Sequence, residues 1–108
     1  MVTCTCMVQA GQNPARRKAQ LTQALEGFSQ RAFGTAAQIG WITVEPGAAF
    51  TACEASTSSI VSFAAAEPLE QAHRAALLGE LCELWSETTG CSTHEVVAVI
   101  SDPARTEA

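Results

Sequence analysis

At 108 residues with a formal charge of −5, the chain is sized for one domain, and it is no candidate for a nucleic-acid surface, which needs clustered cations to neutralise phosphates. Its composition, 47% hydrophobic and 16% charged, is apolar for so small a domain, whose surface is large for its volume; association into an oligomer would cover the excess. No run reaches the roughly 20 apolar residues of a membrane span, and residues 1–11 alternate in polarity instead of forming the cationic leader of a signal peptide. Five cysteines cannot all pair within one chain, so reduced thiols in a cytoplasmic setting are the simplest expectation.

Residues 2–8 predict a first strand. Val2, Cys4, Cys6 and Val8 share one face and Thr3, Thr5 and Met7 the other, the two-residue period of a pleated strand. The run Gly11-Gln12-Asn13-Pro14 breaks it, with Asn13 suited to an N-cap and Pro14 to the first helical position. Leu21, Ala24, Leu25, Phe28 and Ala32 follow at three-and-four spacing, predicting a helix over 14–33 with Gly34 as its C-cap. Residues 39–44 form a second strand, closed by Glu45-Pro46. The stretch 48–56 is small and weakly patterned, an irregular connection holding a short strand or turn around Phe50 and Cys53.

Residues 58–64 are the third strand. Pro68 opens a second helix running to Thr88 or Thr89, with Gly90 ending it. Leu69, Leu77, Leu78, Leu81, Leu84 and Trp85 spread over most of its girth, which predicts burial on more than one side. Thr93 could cap a single turn, residues 96–101 are the fourth strand, and Asp102-Pro103 closes it. The polar tail beyond reads as mobile.

The two halves are copies offset by 56 residues. Leu21, Leu25, Phe28 and Gly34 meet Leu77, Leu81, Leu84 and Gly90. One domain therefore divides into a first repeat over about 1–46, a connection at 47–57, a second repeat over about 58–103 and a tail at 104–108. In each half two strands flank a helix as in a right-handed crossover, which makes them parallel. Joined edge to edge, the units give an α+β fold: a four-stranded mixed sheet with two helices on one face. The other face then needs a cover, and a neighbouring subunit supplies it. A ferredoxin-like sheet and a sheet of different strand order both fit this periodicity.

The residues with chemical potential mostly read as structure. Cys4 and Cys6 project from one strand face, but no C-x-x-C or His-spaced partner completes a four-ligand zinc site, so packing as small hydrophobes is the expectation and no metal or cofactor is implied. Arg16-Arg17-Lys18 places three of the six basic residues at a helix start, where the helix dipole disfavours cations. A solvated face accounts for them, and an anionic ligand is the alternative. His73, three residues after Glu70, and His94 beside Glu95 read as surface pairs and caps. Trp41 and Trp85 read as core or interface anchors.

Trp41-Ile42-Thr43-Val44-Glu45-Pro46, the helix segment from Leu77 through Leu84 to Gly90, and the strand from Val96 to Asp102 resemble the tautomerase superfamily. The subgroup is that of macrophage migration inhibitory factor and the related dehalogenases, including the cis-3-chloroacrylic acid dehalogenase type. The resemblance is one of pattern and spacing over nearly the whole chain. It implies a homotrimer and a keto-enol isomerase that handles a small carboxylate substrate through an exposed N-terminal proline. A secondary amine with a depressed pKa can then act as base or nucleophile near neutral pH.

Here the corresponding positions are Met1 and Val2, so a primary amine would stand where the family has proline. Thr35 falls where relatives place a Lys or Arg after the first helix, and Ala65, Ala66 and Glu67 where dehalogenases keep arginines. Val97 and Val99 replace a Tyr and an Asn of the fourth strand. Arg16 and Arg17 lie several residues beyond the cation that relatives carry near the end of the first strand. The resemblance thus implies a divergent tautomerase with the amine of Met1 or Val2 as its catalytic group, Arg16, Arg17, Thr35, Val97 and Val99 as ligand contacts, and weak or lost activity.

Overall fold

The computed structural model describes residues 1–103; the tail predicted at 104–108 lies outside them. In chain order the elements are β1 (Val2–Gln9), α1 (Asn13–Arg16), α2 (Lys18–Phe33), β2 (Ala37–Val44), β3 (Phe50–Thr51), β4 (Glu54–Ala55), β5 (Ser59–Ala64), α3 (Gln71–Thr89), a 3₁₀ turn (Thr93–Glu95) and β6 (Val96–Ser101). The main sheet has the order β2-β1-β5-β6. β1 and β2 are parallel, β5 and β6 are parallel, and β1 meets β5 antiparallel with Thr5 opposite Ser62. Each helical crossover joins adjacent strands, which excludes the ferredoxin-like split βαβ unit, where another strand lies between the two.

The alternation in β1 places its side chains as the sequence predicts. Val2, Cys4, Cys6 and Val8 are buried under the helices, while Thr3 and Thr5 are exposed. Leu21, Leu25 and Phe28 of α2 and Leu77, Leu81 and Trp85 of α3 close over them, together with Val61 and Phe63 of β5 and Ile100 of β6. Burying each such aliphatic or aromatic side chain contributes about 1.5–3 kcal/mol against leaving it in water. Gly34 and Gly90 end α2 and α3 with φ of 71° and 77°, the left-handed conformation that glycine adopts without a Cβ clash.

Several local features differ from the sequence reading. The first helix breaks at Arg17, whose N–H bonds Pro14 O while its own carbonyl accepts from Leu21. Asn13 is inside α1 and its side chain donates to the Thr89 carbonyl at 3.2 Å, so Gln12 takes the N-cap position. Pro68 does not open α3: Glu70 is extended, with φ −65° and ψ 141°, and is the N-cap of a helix that starts at Gln71, while the Leu69 N–H before it donates to Asp102 Oδ1 at 3.0 Å. Ser92, not Thr93, caps the 3₁₀ turn, in a reciprocal capping box with Glu95. In α3 the buried positions follow one stripe, Leu77, Leu81, Trp85 and Thr89, spaced by four; Leu78, Cys82 and Leu84 are half-buried. Within a single chain this helix is covered on one side only.

The face opposite the helices is open. Register aligns Ile42, Met7, Ile60 and Val97 in one row across all four strands. The next row is Gly40, Thr5, Ser62 and Val99, and the last is Gln38, Thr3, Ala64 and Ser101. The apolar content therefore concentrates at one end of this face, where Ile42 and Val97 are each 51% exposed. The β3–β4 hairpin overhangs that end, and its turn residues Ala52 and Cys53 have positive φ. No helix among the described residues is long and apolar enough to cross a membrane.

Candidate functional site

The N-terminal end of β1 opens into a cavity of about 350 Å³. Three pieces of backbone meet there. Val2 begins β1, Ala65 and Ala66 leave the antiparallel neighbour β5, and the last turn of α2 supplies Ala32 and Phe33. Leu69 closes one side. Thr35 and Glu67 are the polar lining residues, and both are exposed toward solvent. Phe33 packs edge-on against Phe28 at 6.2 Å between centroids and at 5.7 Å from Phe63, so the cavity wall rests on the aromatic centre of the core. The Val2 side chain is buried and Met1 is 81% exposed.

The surrounding polar groups are tied down. Asp102 accepts from the Leu69 N–H and from Arg74 Nη2 at 2.7 Å, and Arg74 also donates to the Leu69 carbonyl at 2.8 Å. These bonds, the Leu69 N–H first and the Arg74 guanidinium second, hold the Asp102 carboxyl below the usual carboxylate range. Arg31, in the last turn of α2, pairs with Glu80 of α3 at 2.9 Å. Ser29 Oγ donates to Thr35 O at 2.7 Å and fixes the chain as it leaves α2.

The residues singled out from the sequence do not all meet here. Val2 and Thr35 share the cavity, with Met1 adjoining Val2 in the chain. Arg16 and Arg17 stand at the opposite end of α2, about 24 Å away by the rise of a 16-residue helix. Both are exposed, and Lys18 beside them donates to Thr43 Oγ1 at 3.0 Å and lies 5.8 Å from the Trp41 ring centroid. Val97 and Val99 are on the open face of β6. Val97 lines a second cavity of about 350 Å³, with Met7, Ile60 and Phe50 under the hairpin. Glu67, Ala65 and Ala66 were visible in the sequence as departures from a basic pattern; that Phe33 and Leu69 complete the wall required the three-dimensional arrangement.

Cys4 and Cys6 are both buried with their Sγ atoms 3.8 Å apart. Their mutual hydrogen bond, then burial, push the Cys4 thiol well above its ordinary range, which suits a packed, protonated thiol. No group of three or more His, Cys, Asp or Glu that could hold a metal occurs among the described residues. His73 and His94 are exposed, and Trp85 is fully buried.

Two parallel βαβ units joined by an antiparallel centre, with both long helices on one face, define the tautomerase-superfamily fold. Solved structures superpose on it closely. Native Ps01740 matches with a TM-score of 0.82 and 24% identity over 93% of this chain and 92% of that one. A symmetric trimer of wild-type fused 4-OT matches at 0.80 and 19% over 93% and 84%. N1, a member of the cis-3-chloroacrylic acid dehalogenase family, matches at 0.79 and 13% over 93% and 73%. At these identities the likeness is one of fold. No family model matches the sequence, and no curated protein matches it.

Proposed function

We propose that the chain is a divergent tautomerase-superfamily protein, a homotrimer with weak or lost keto-enol isomerase activity. The observation that carries this reading is the coincidence of the shared fold with a cavity at the start of β1. Its lining contains neither a proline nor a basic side chain. A tautomerase needs a poised base and a group that stabilises the developing enolate oxygen. Met1 and Val2 offer at most a primary amine, while Thr35, Ala65 and Ala66 supply no cation. Self-association is supported by the apolar row Ile42–Met7–Ile60–Val97, left uncovered in the single chain, and by the trimeric state of the fused 4-OT structure.

The test has two arms. Intact mass establishes which residue begins the mature chain, and ketonisation of a phenylpyruvate-type enol is then followed for the wild type and for Val2→Pro in the corresponding trimmed form. Turnover near background in the wild type is the expected result. Wild-type turnover abolished by blocking the amine would overturn it in favour of an active isomerase using that amine. Light scattering should report a trimer at micromolar concentration, and Val97→Asp, which sets a charge in the apolar row, should shift it to monomer. A wild-type monomer would refute the assembly.

A further inference from the structure

Five large hydrophobic side chains are exposed among the described residues: Met1, Ile42, Phe50, Val97 and Val99. Four of them belong to one surface. Ile42 and Val97 end the apolar row on the open sheet face, Val99 ends the next row, and Phe50 hangs over the sheet from the β3–β4 hairpin. Met1 stands apart, beyond the other end of β1, and at 81% it is the most exposed of the five.

Between the hairpin and the sheet lies the second cavity, of about 350 Å³, walled by Met7, Phe50, Ile60 and Val97. No ionisable side chain lines it. Its hydroxyls are already engaged, since Thr51 Oγ1 donates to Ser56 Oγ at 2.7 Å and the Ser58 N–H donates to the same oxygen at 3.0 Å. Such walls suit an uncharged, apolar occupant, because a charged one would lose its hydration without gaining a partner. Met1 cannot be that occupant within its own chain. Met7 is six positions further on, about 20 Å along an extended strand.

Between copies the two features are complementary. A threefold ring is built from head-to-tail contacts, in which a patch on one copy meets a different patch on the next; a face that paired only with itself would give a dimer. We propose that in the trimer the Met1 side chain of each copy is seated in the next copy's cavity under the hairpin. Its thioether lies against the partner's Phe50 ring and its methylenes against the partner's Ile60 and Val97. The proposal rests on the homotrimer stated above and names a contact that the open face alone does not define. Methionine suits the place, because its unbranched chain fills irregular gaps and its sulfur packs favourably at an aromatic edge. One insertion removes from water both the isolated Met1 side chain and the walls of the cavity.

The test uses the full chain. Intact mass first establishes that Met1 is present, and a chain lacking it would overturn the proposal. Brief treatment with dilute hydrogen peroxide, followed by peptide mapping, then reads conversion of Met1 to its sulfoxide. Met1 should be oxidised several-fold more slowly in the wild-type trimer than in the Val97→Asp monomer. Ala49→Phe, which fills the cavity without adding charge, should raise the oxidation rate of Met1 towards that of the monomer.

A measurement on the wild type guards against misfolding of that variant. Trimers reassembled from two pools, one carrying ¹³C-methyl methionine and one unlabelled, should show an isotope-filtered contact between the Met1 methyl and the Phe50 ring of the other pool. Met7→Leu, a swap that conserves volume, leaves one methionine signal and identifies it as Met1. A trimer in which Met1 is oxidised as fast as in the monomer, or touches no other copy, overturns this proposal and leaves the assembly standing. Protection of Met1 that a folded Ala49→Phe trimer retains in full places Met1 elsewhere and also overturns it. A wild-type monomer overturns the assembly and this contact together.

Discussion

Phe28 and Phe33 are two steps of one aromatic stack, and they should fail differently. Phe28 is fully buried, 5.3 Å from Phe63 and 6.2 Å from Phe33 between ring centroids. Phe28→Ala removes a core ring and leaves a cavity, which costs about 3–5 kcal/mol. A domain of this size has roughly 5–15 kcal/mol of stability to lose, so the variant should be severely destabilised yet measurable. Phe33 is half-buried and its free side faces the cavity at Val2. Truncating it removes less area from contact and enlarges an existing opening, so Phe33→Ala should cost about 1.5–2.5 kcal/mol, in proportion to the area buried. Phe28→Leu, which keeps most of the volume, should cost about 1.5 kcal/mol or less. Urea unfolding read by tryptophan fluorescence is suitable, because Trp85 is fully buried and must become exposed. All variants must be compared at one protein concentration, since self-association makes apparent stability concentration-dependent. A loss under about 1 kcal/mol for Phe28→Ala, or a larger loss for Phe33→Ala than for Phe28→Ala, would refute the assignment of one ring to the core and the other to the wall.

The Asp102 clamp makes a prediction about acid. Its folded pKa lies below the ordinary aspartate value of 3.8, so the carboxylate contributes stability that is fully present above that value and is lost as pH falls through the folded pKa. Asp102→Asn should therefore flatten the acid limb of a stability–pH profile below about pH 4, and a limb as steep as the wild type's would show that the clamp contributes nothing. Thiol labelling should separate the cysteines by position: Cys53 is exposed, Cys82 and Cys91 are half-buried, and Cys4 and Cys6 are buried. Peptide mass mapping after brief native treatment with a thiol reagent should find Cys53 modified first and Cys4 only after unfolding; native modification of Cys4 would contradict its place in the core.

How far the sequence could be read depended on the range of the interactions. The faces of β1, the two glycine C-caps and the apolar row of α2 are local or periodic, and each is set by the geometry of its own element. The break at Arg17 was illegible, because the helical pattern runs through it in the sequence while its backbone, with φ −116° and ψ 28°, leaves the helical conformation. The same is true of Pro68: a proline before a helical pattern ordinarily marks N1, but here Glu70 is extended and is itself the N-cap, and the chain before it is tied to Asp102, 33 residues away from Leu69. The strand order was equally out of reach, since both candidate sheets have the same period. Arg16 and Arg17 were grouped with the site by spacing along the chain, and it is the length of α2 that separates them from Val2.

The duplication allows the cavity at Val2 to be compared with its copy in the second half. Shifting its lining by the 56-residue offset maps Val2, Phe33 and Thr35 onto Ser58, Thr89 and Cys91, and maps Ala65 and Leu69 back onto Gln9 and Asn13. At this second locus the side chains are polar and bonded to one another's backbone. Gln9 Nε2 donates to Ser56 O and Ser58 O at 2.8 and 3.0 Å, Asn13 Nδ2 donates to Thr89 O at 3.2 Å, and the Cys91 N–H donates to Thr89 Oγ1 at 3.1 Å. Gln9 is buried, and a buried amide with its N–H groups satisfied is costly to displace, about 1–3 kcal/mol for each group left unpaired. Alanine at position 65 has no such reach, and the side chain of Leu69 has no donor to set beside that of Asn13. The first locus is therefore lined mainly by apolar side chains, while its copy is bridged by side-chain hydrogen bonds.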